Sequence, residues 1–209
     1  ALATAPYAPP RDTTTLTPTA DQLKATWGDG YGNRGERYLA GVAYLDGQRP
    51  SMIFARGYYA KTAVAAYDYR KGKLTLRWLF DSAQPGNETF GGQGNHQLSA
   101  ADVDGDGRDE IIYGAMALDD DGKGLWSSGL GHGDAMHVSD HDPSRPGLEK
   151  FGVHENMRVS GNRGSAMLDA RTGELLWSTP AQSDTGRGIA IDIDPRHPGS
   201  EAWSSNSRD

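Results

Sequence analysis

The stretch GNHQLSAADVDGDGRDEIIYG, residues 94–114, places five carboxylates within nine positions between two apolar segments. Carboxylates this close together repel one another unless a cation lies among them. The acidic residues alternate and glycines permit a sharp turn, so their oxygens can converge on one hard cation. The stretch therefore predicts a strand, a turn that binds calcium (Ca2+), and a second strand. The predicted ligands are Asp102, Asp104, Asp106, Glu110 and a backbone carbonyl near Arg108.

The spacing of this turn differs from that of an EF-hand. An EF-hand loop has its bidentate glutamate at the twelfth position, where this chain has Tyr113. The pattern instead suits the calcium loops between propeller strands, and it favours an ion that clamps the turn over a catalytic ion. The related turns at 140–142 and 192–194 contain fewer acidic residues and are weaker candidates.

The same order of alternating strand, acidic turn and second strand occurs four times along the chain. The turn aspartates Asp46, Asp104, Asp142 and Asp194 are separated by 58, 38 and 52 residues. This irregular period averages near the roughly 40 to 50 residues of a four-stranded propeller blade. The repeats therefore predict an all-β fold that forms part of a β-propeller.

Each complete repeat ends in an aspartate, a glycine turn and a tryptophan strand, a pattern typical of a β-hairpin. A β-sandwich with repeated turns is the alternative, but the double repeat of opening and closing motifs favours the propeller. The tryptophans are expected in the core. The three hairpins extend from Asp68 to Trp78, from Asp119 to Trp126 and from Asp169 to Trp177.

Residues 29–209 are predicted to form about three and a fraction blades of one larger domain. Residues 1–28, with prolines at 6, 9 and 10, are predicted to form an irregular connecting segment. Pro18 can begin a short helix towards Trp27. Propellers typically close with roughly 4 to 8 blades, and an open arc would expose strand edges. We therefore expect a fragment of a longer protein.

The composition argues against several classes of function. Among 209 residues, 21 are basic and 28 acidic, which gives a net charge of −7, and the basic residues are scattered. Nucleic-acid binding is therefore not expected. No apolar stretch approaches the roughly 20 residues that span a bilayer, so no membrane partner is expected. Cysteine is absent, which excludes disulfides and thiol catalysis.

A second group of residues occupies equivalent places in the repeats. His96 precedes the second repeat. His132 and Asp134 precede the third, and Glu155 follows the second strand of that repeat. In a propeller such positions face the same end of the central channel, so the four side chains can meet there and form a site. Solvated loop histidines beside glycine-rich turns are the alternative.

Several longer segments are more specific than these turns. They include GNH (94–96) before the acidic turn, IIYGAMA (111–117), GLGHGDAMH (129–137), DPSRPG (142–147), RGYY (56–59) and DTGRG (184–188). Together they resemble the family 11 polysaccharide lyases, the bacterial rhamnogalacturonan lyases, from about Gly28 to Trp203. Members of that family are eight-bladed propellers with several calcium ions, so the chain resembles about the middle third of one.

The resemblance implies an activity. Enzymes of this family cut the bond between rhamnose and O4 of galacturonate in rhamnogalacturonan I of pectin by β-elimination, and they leave an unsaturated uronate. A cation on the uronate carboxylate would stabilise the charge that develops when a base removes the proton at C5. The base is expected outside this chain, so the chain by itself need not be active.

The resemblance also implies roles for particular residues. His96, His132, Asp134 and Glu155 correspond to ligands of an active-site calcium ion. Imidazole is an unusual calcium ligand, so the residue types alone leave zinc or manganese open. Arg187 corresponds to a catalytic arginine that neutralises the uronate or assists proton transfer. Because a guanidinium stays charged, binding of the uronate is its expected role, and a surface ion pair is the alternative.

From the resemblance we further expect secretion, a monomeric full-length enzyme and rhamnogalacturonan I as partner. Tyr58, Tyr59, Trp126 and Trp177 are available to stack on sugars, although the tryptophans suit a core better. The abundant acidic residues also allow a two-carboxylate hydrolase, but no spacing favours it. The alternative from a different class is a non-catalytic, calcium-stabilised propeller that binds a glycan or a protein.

Overall fold

The structure, a computed structural model, describes residues 2–8 and 15–205. The prolines at 9 and 10, predicted to lie in an irregular segment, fall outside the described residues. Fourteen strands make up most of the described secondary structure. The other elements are helix α1 (Ala20–Trp27), the four-residue helix α2 (Gly32–Gly35) and a 3₁₀ turn (Glu88–Phe90).

The strands form four antiparallel sheets in chain order. Sheet 1 consists of β1 (Tyr38–Ala43), β2 (Ser51–Arg56), β3 (Ala63–Arg70) and β4 (Lys73–Asp81). Sheet 2 consists of β5 (Ser99–Ala101), β6 (Glu110–Ile112), β7 (Met116–Leu118) and β8 (Gly124–Ser127). Sheet 3 consists of β9 (Met136–Ser139), β10 (Glu149–Val153), β11 (Arg163–Asp169) and β12 (Leu175–Pro180). Sheet 4 consists, within the described residues, of β13 (Arg187–Ile191) and β14 (Glu201–Ser205).

Successive sheets contact one another through their first strands. Strand β1 contacts β5, β5 contacts β9, and β9 contacts β13. This arrangement is consistent with propeller blades around a common axis, and four sheets do not fit the two-sheet sandwich. The predicted mostly β fold with propeller-like sheets is therefore confirmed. Closure into an eight-bladed ring and the calcium loops stay predictions.

The hydrophobic cores lie between neighbouring sheets. In β6, Ile111 packs with residues of sheet 1 and Ile112 packs with residues of sheet 3. In β11, Leu168 packs towards sheet 2 and Met167 towards sheet 4. Alternate side chains of a strand point to opposite faces, so β6 and β11 are buried at nearly every position and hold three layers together.

Tryptophans tie sheet 1 to sheet 2 and sheet 2 to sheet 3. The indole of Trp78 in β4 donates to the carbonyl of Asp120 at 2.9 Å, and that of Trp126 in β8 donates to Ala170 at 2.9 Å. Trp126 is buried, as predicted, whereas Trp177 in β12 is 42% exposed. The predicted core role therefore applies to the tryptophans that have a following hairpin to cover them.

Helix α1 packs on one end of sheet 1. Its first turn is closed by a capping box between Thr19 and Gln22, so the helix begins two residues after Pro18, later than predicted, because the threonine hydroxyl supplies the cap. Leu23 and Trp27 are buried with Ala63. No helix in the described residues is long and apolar enough to cross a bilayer.

Candidate functional site

The predicted site residues meet where the first strands of neighbouring sheets contact each other. His96 lies just before β5, and His132 lies just before β9. A parallel bridge between Asn95 and Gly133 joins these two segments. Glu155 follows β10, and its backbone N–H donates to the carbonyl of His132 at 3.1 Å. The sheet arrangement thus brings together residues that are far apart in sequence.

The potential ligand atoms of His96, His132, Asp134 and Glu155 all lie within 4.8 Å of one another. Nε2 of His96 and Nε2 of His132 lie 3.1 and 3.5 Å from Oδ1 of Asp134. Nε2 of His132 also lies 3.6 Å from Oε1 of Glu155. Within the described residues, neither Nε2 of His132 nor Oδ1 of Asp134 makes a hydrogen bond. Buried polar atoms without such partners are rare, and their convergence is typical of a metal site.

The orientation of the His132 imidazole is fixed by contacts with Gly94 and Tyr58. Its Nδ1 lies 2.7 Å from the carbonyl oxygen of Gly94, which can only accept, so Nδ1 carries a proton and Nε2 faces the cluster. The ring of Tyr58 stacks on the imidazole with centroids 4.5 Å apart. Metal-binding histidines commonly donate the N–H of their other ring nitrogen to a carbonyl in this way. Tyr58 is only 2% exposed, so it is not available to stack on a sugar.

Tyr59 holds Glu155 in the same cluster. Its hydroxyl lies 3.0 and 2.9 Å from the two carboxylate oxygens. Burial by itself raises the pKa of Glu155, but His132 and the hydroxyl of Tyr59 outweigh it and hold that pKa well below its ordinary value. Burial lowers the pKa of His96. At neutral pH, Glu155 is therefore a carboxylate and His96 a neutral imidazole, the states that bind a cation.

A cleft of about 590 Å³ opens over the cluster. Arg187, the first residue of β13, has Nη1 2.8 Å from Oδ2 of Asp134, and 79% of its side chain is exposed. The predicted cleft arginine therefore lies beside the predicted metal ligands. The cleft is also lined by Tyr31 and Arg37, from the segment between α1 and β1. Sequence reasoning missed both, because no motif links that segment to the cluster.

The donor set fits a divalent cation. Two carboxylates offer oxygen ligands of the kind that calcium prefers. Two imidazoles offer nitrogen ligands, which suit zinc better. The residues by themselves therefore indicate a divalent cation without selecting calcium.

The acidic turn between β5 and β6 brings together three of its predicted ligands, Asp102, Asp104 and Glu110. Glu110 is fully buried, and one of its oxygens accepts from the backbone N–H of Val103 at 2.7 Å. Its other oxygen makes no hydrogen bond among the described residues. Burial raises the pKa of Glu110 to about 7, and the nearby aspartates add to the shift. A cation would relieve this repulsion.

Asp106 and Arg108 are placed differently. Oδ1 of Asp106 accepts from the backbone N–H of Arg108 at 2.8 Å, and Asp106 is not in the group of converging ligand atoms. The guanidinium of Arg108 lies 3.0 Å from Asp120, in the following hairpin. A part for Asp106 or for the Arg108 carbonyl in cation binding stays a prediction.

The equivalent turn of sheet 3 carries its own positive charge. Glu149, the counterpart of Glu110, accepts from the backbone N–H groups of His141 and Asp142, each at 2.9 Å. Nε of Arg145 lies 3.7 Å from Glu149, and its Nη2 lies 3.3 Å from Asp169. In the described part of the chain, no salt bridge reaches the three converging acidic residues of the sheet 2 turn. An external cation is therefore needed most in sheet 2.

Comparison with known proteins gives a consistent match. The family model of rhamnogalacturonan lyase family 11, C-terminal domain, matches residues 1–209. Over 181 residues, 87% of this chain, the sequence is 61% identical to the rhamnogalacturonan endolyase YesW of Bacillus subtilis (strain 168). Over 203 residues, 97% of this chain, it is 59% identical to the rhamnogalacturonan exolyase YesX of the same organism.

The fold agrees with a solved relative. The crystal structure of rhamnogalacturonan lyase YesW superposes with a TM-score of 0.88 at 56% identity, over 98% of this chain and 33% of that chain. The chain spans 29% and 31% of the lengths of YesW and YesX, less than a third of either relative.

Proposed function

The chain belongs to rhamnogalacturonan lyase family 11, and from this premise we propose that it is the metal-binding part of a calcium-dependent rhamnogalacturonan lyase. Such an enzyme cleaves the rhamnose–galacturonate bond of pectin by β-elimination and leaves an unsaturated uronate. One observation carries the proposal. The ligand atoms of His96, His132, Asp134 and Glu155 converge, and three of these residues, His96, Asp134 and Glu155, line a cleft that Arg187 also lines.

The charges of the cleft suit an acidic saccharide. Its anions are Asp134 and Glu155, and its cations are Arg37 and Arg187. These charges balance, so a bound divalent ion makes the cleft positive. A positive, partly enclosed cleft attracts and concentrates anionic ligands. Galacturonate carries the carboxylate that this cleft would bind.

The four cluster residues would hold calcium. When bound, calcium withdraws electron density from the uronate carboxylate and so makes the proton at C5 easier to remove. His132 stays a fixed ligand because Gly94 accepts its Nδ1 proton and Tyr58 covers its ring. Tyr59 orients Glu155 by donating its hydroxyl proton. The site is thus organised before substrate arrives, which lowers the cost of binding.

Arg187 has the role of binding the substrate carboxylate. A guanidinium stays charged in proteins, so it is not the base that removes the proton. Its exposed side chain and its contact with Asp134 allow it to exchange that partner for the uronate. The negative charge that develops during proton removal then lies beside a fixed cation, which stabilises the transition state. We place the base outside this chain.

The remaining features of the proposal follow from the family. The chain forms part of an eight-bladed propeller, and a second calcium ion stabilises the sheet 2 turn through Asp102, Asp104 and Glu110. The substrate is rhamnogalacturonan I, and the protein is secreted because that polymer lies in plant cell walls. YesW is an endolyase and YesX an exolyase, so similarity selects neither mode.

The test uses a full-length protein that contains this chain. It is incubated with rhamnogalacturonan I, with calcium or with a chelator, and the absorbance of unsaturated uronate is followed. We expect product with calcium and little with the chelator. His132→Ala should abolish product. The control His197→Ala, at a side chain that is 72% exposed in the sheet 4 turn, should not.

A non-catalytic, calcium-stabilised propeller is the competing function. That protein would bind the polysaccharide without forming unsaturated uronate, and His132→Ala would leave its glycan binding unchanged. Bound polysaccharide without product in the presence of calcium would therefore overturn the lyase proposal.

A further inference from the structure

Two buried polar side chains behind the cluster have no part in the function described so far. Lys150, in β10, is 0% exposed, and His154, just after β10, is 1% exposed. Within the described residues, neither Nζ of Lys150 nor Nε2 of His154 makes a hydrogen bond. Buried polar groups without partners are unfavourable. Both side chains therefore need a physical explanation.

The two side chains lie on one face of the strand with a glycine between them. Alternate residues of a strand share a face, so Lys150, Gly152 and His154 point the same way. A Cβ on Gly152 would overlap Nζ of Lys150. The lysine therefore extends along the strand over Gly152 and towards His154.

His154 in turn braces the segment that carries two of the metal ligands. Its Nδ1 lies 3.2 Å from the carbonyl oxygen of Gly131, the residue before His132. Because a carbonyl only accepts, this hydrogen bond requires the proton on Nδ1. Nε2 is then an acceptor that needs a donor. The amine of Lys150 is a donor on the same buried face.

We propose that Lys150 and His154 form a buried amine–imidazole pair that positions the metal cluster. A rotation of the Lys150 side chain brings Nζ to Nε2 of His154, and the hydrogen bond that Nζ then donates fixes the tautomer that donates through Nδ1 to Gly131. This bond holds the following residues, His132 and Asp134, in place for the cation. An amine and an ammonium both donate, so the pair works in either protonation state. The inference rests on the proposed function, because it concerns the same site, and neither residue touches substrate.

Calcium binding to the chain of 209 residues tests the pair, with the sheet 2 turn as an internal control site. Lys150→Met keeps the length and removes the donor. It should lower the calcium affinity of the His96 cluster by about 10-fold or more, as loss of such supporting contacts does, and leave the turn site unchanged. His154→Asn keeps a donor near the position of Nδ1 and should retain most affinity. His154→Phe should lose about 10- to 100-fold.

Nitrogen NMR of the His154 imidazole gives a second readout that needs no metal. The wild-type chain should show the Nδ1–H tautomer, and Lys150→Met should show a mixture of both. An unchanged tautomer in Lys150→Met would overturn the pairing, as would a loss of affinity shared equally by both calcium sites.

The two proposals fail separately. If the wild-type chain binds no calcium at the cluster while the tautomer depends on Lys150, the proposed function fails and the pair stands. If calcium binds at the cluster but the His154 tautomer is the same in the wild-type chain and in Lys150→Met, only the proposed pair is wrong.

Discussion

The indole of Trp78 donates to the carbonyl of Asp120 at 2.9 Å, so the last strand of sheet 1 is fastened to the closing hairpin of sheet 2. Sheet 3 is fastened to sheet 2 in the same way through Trp126. Each indole lies against a turn glycine of the following hairpin, Gly122 or Gly173. These contacts repeat because the hairpins repeat, and they join sheet 1 to sheet 2 and sheet 2 to sheet 3.

Gly122→Ala should therefore destabilise the chain more than Gly72→Ala, its counterpart in sheet 1. Both glycines have positive φ, +82° and +77°, so each substitution costs about 1–2 kcal/mol in backbone strain. A Cβ at 122 would come 2.5 Å from the indole of Trp78, whereas at 72 it meets nothing within 4 Å. The overlap should add about 1–3 kcal/mol. Urea unfolding measures both variants. Equal losses in the free energy of unfolding would show that the contact between Trp78 and Gly122 does not contribute to stability.

Arg145→Gln should lower the free energy of unfolding by about 1–2 kcal/mol, because it leaves buried Glu149 without a positive neighbour. The estimate is modest because 38% of the Arg145 side chain is exposed. The control is Arg49→Gln, which removes an exposed pair with Asp46 and should change stability by less than about 0.5 kcal/mol. Urea unfolding measures the stability of both variants. If Arg49→Gln lowers the free energy of unfolding as much as Arg145→Gln does, Arg145 is not the cation that stabilises the sheet 3 turn.

Lys150 should make stability rise with pH above about 7. Burial lowers the pKa of Lys150 to about 7, whereas an unfolded lysine titrates near a pKa of about 10.4. Between these values the unfolded chain binds the extra proton, so the free energy of unfolding increases with pH and levels off near the unfolded value. His154 is the titratable group beside the amine.

Urea unfolding between neutral and alkaline pH measures this slope. Lys150→Met should flatten it, and Lys73→Met, at an exposed position of β4, should not. A slope that survives in Lys150→Met would show that other groups cause it.

The repeats could be predicted from sequence because their signals are local. The structure of an acidic turn such as Asp102–Glu110, or of a hairpin that ends in Trp126, is determined by a few neighbouring residues. That the four cluster residues can meet was predictable because they lie before or after the first two strands of neighbouring sheets, and strand contacts bring such places together. Their role as metal ligands was implied only by the family resemblance.

Other parts of the site could not be predicted, because they depend on how whole sheets pack. Tyr59 reaches Glu155 across 96 positions, and nothing near Tyr59 in the sequence marks a carboxylate partner. Lys150 resembles an ordinary solvated strand lysine, and only the later Gly152 leaves room for it to lie flat and buried. Polar residues of this kind acquire their role from the neighbouring sheet.

Calcium calorimetry on the chain of 209 residues tests the central claim most directly. We predict two separable sites, the His96 cluster and the sheet 2 turn. His96→Ala should remove only the first site, and Asp104→Ala only the second. Asp106→Ala is the matched control and should weaken the second site less than Asp104→Ala. A His96→Ala variant that keeps both sites would contradict the account, because the cluster would then bind no calcium of its own.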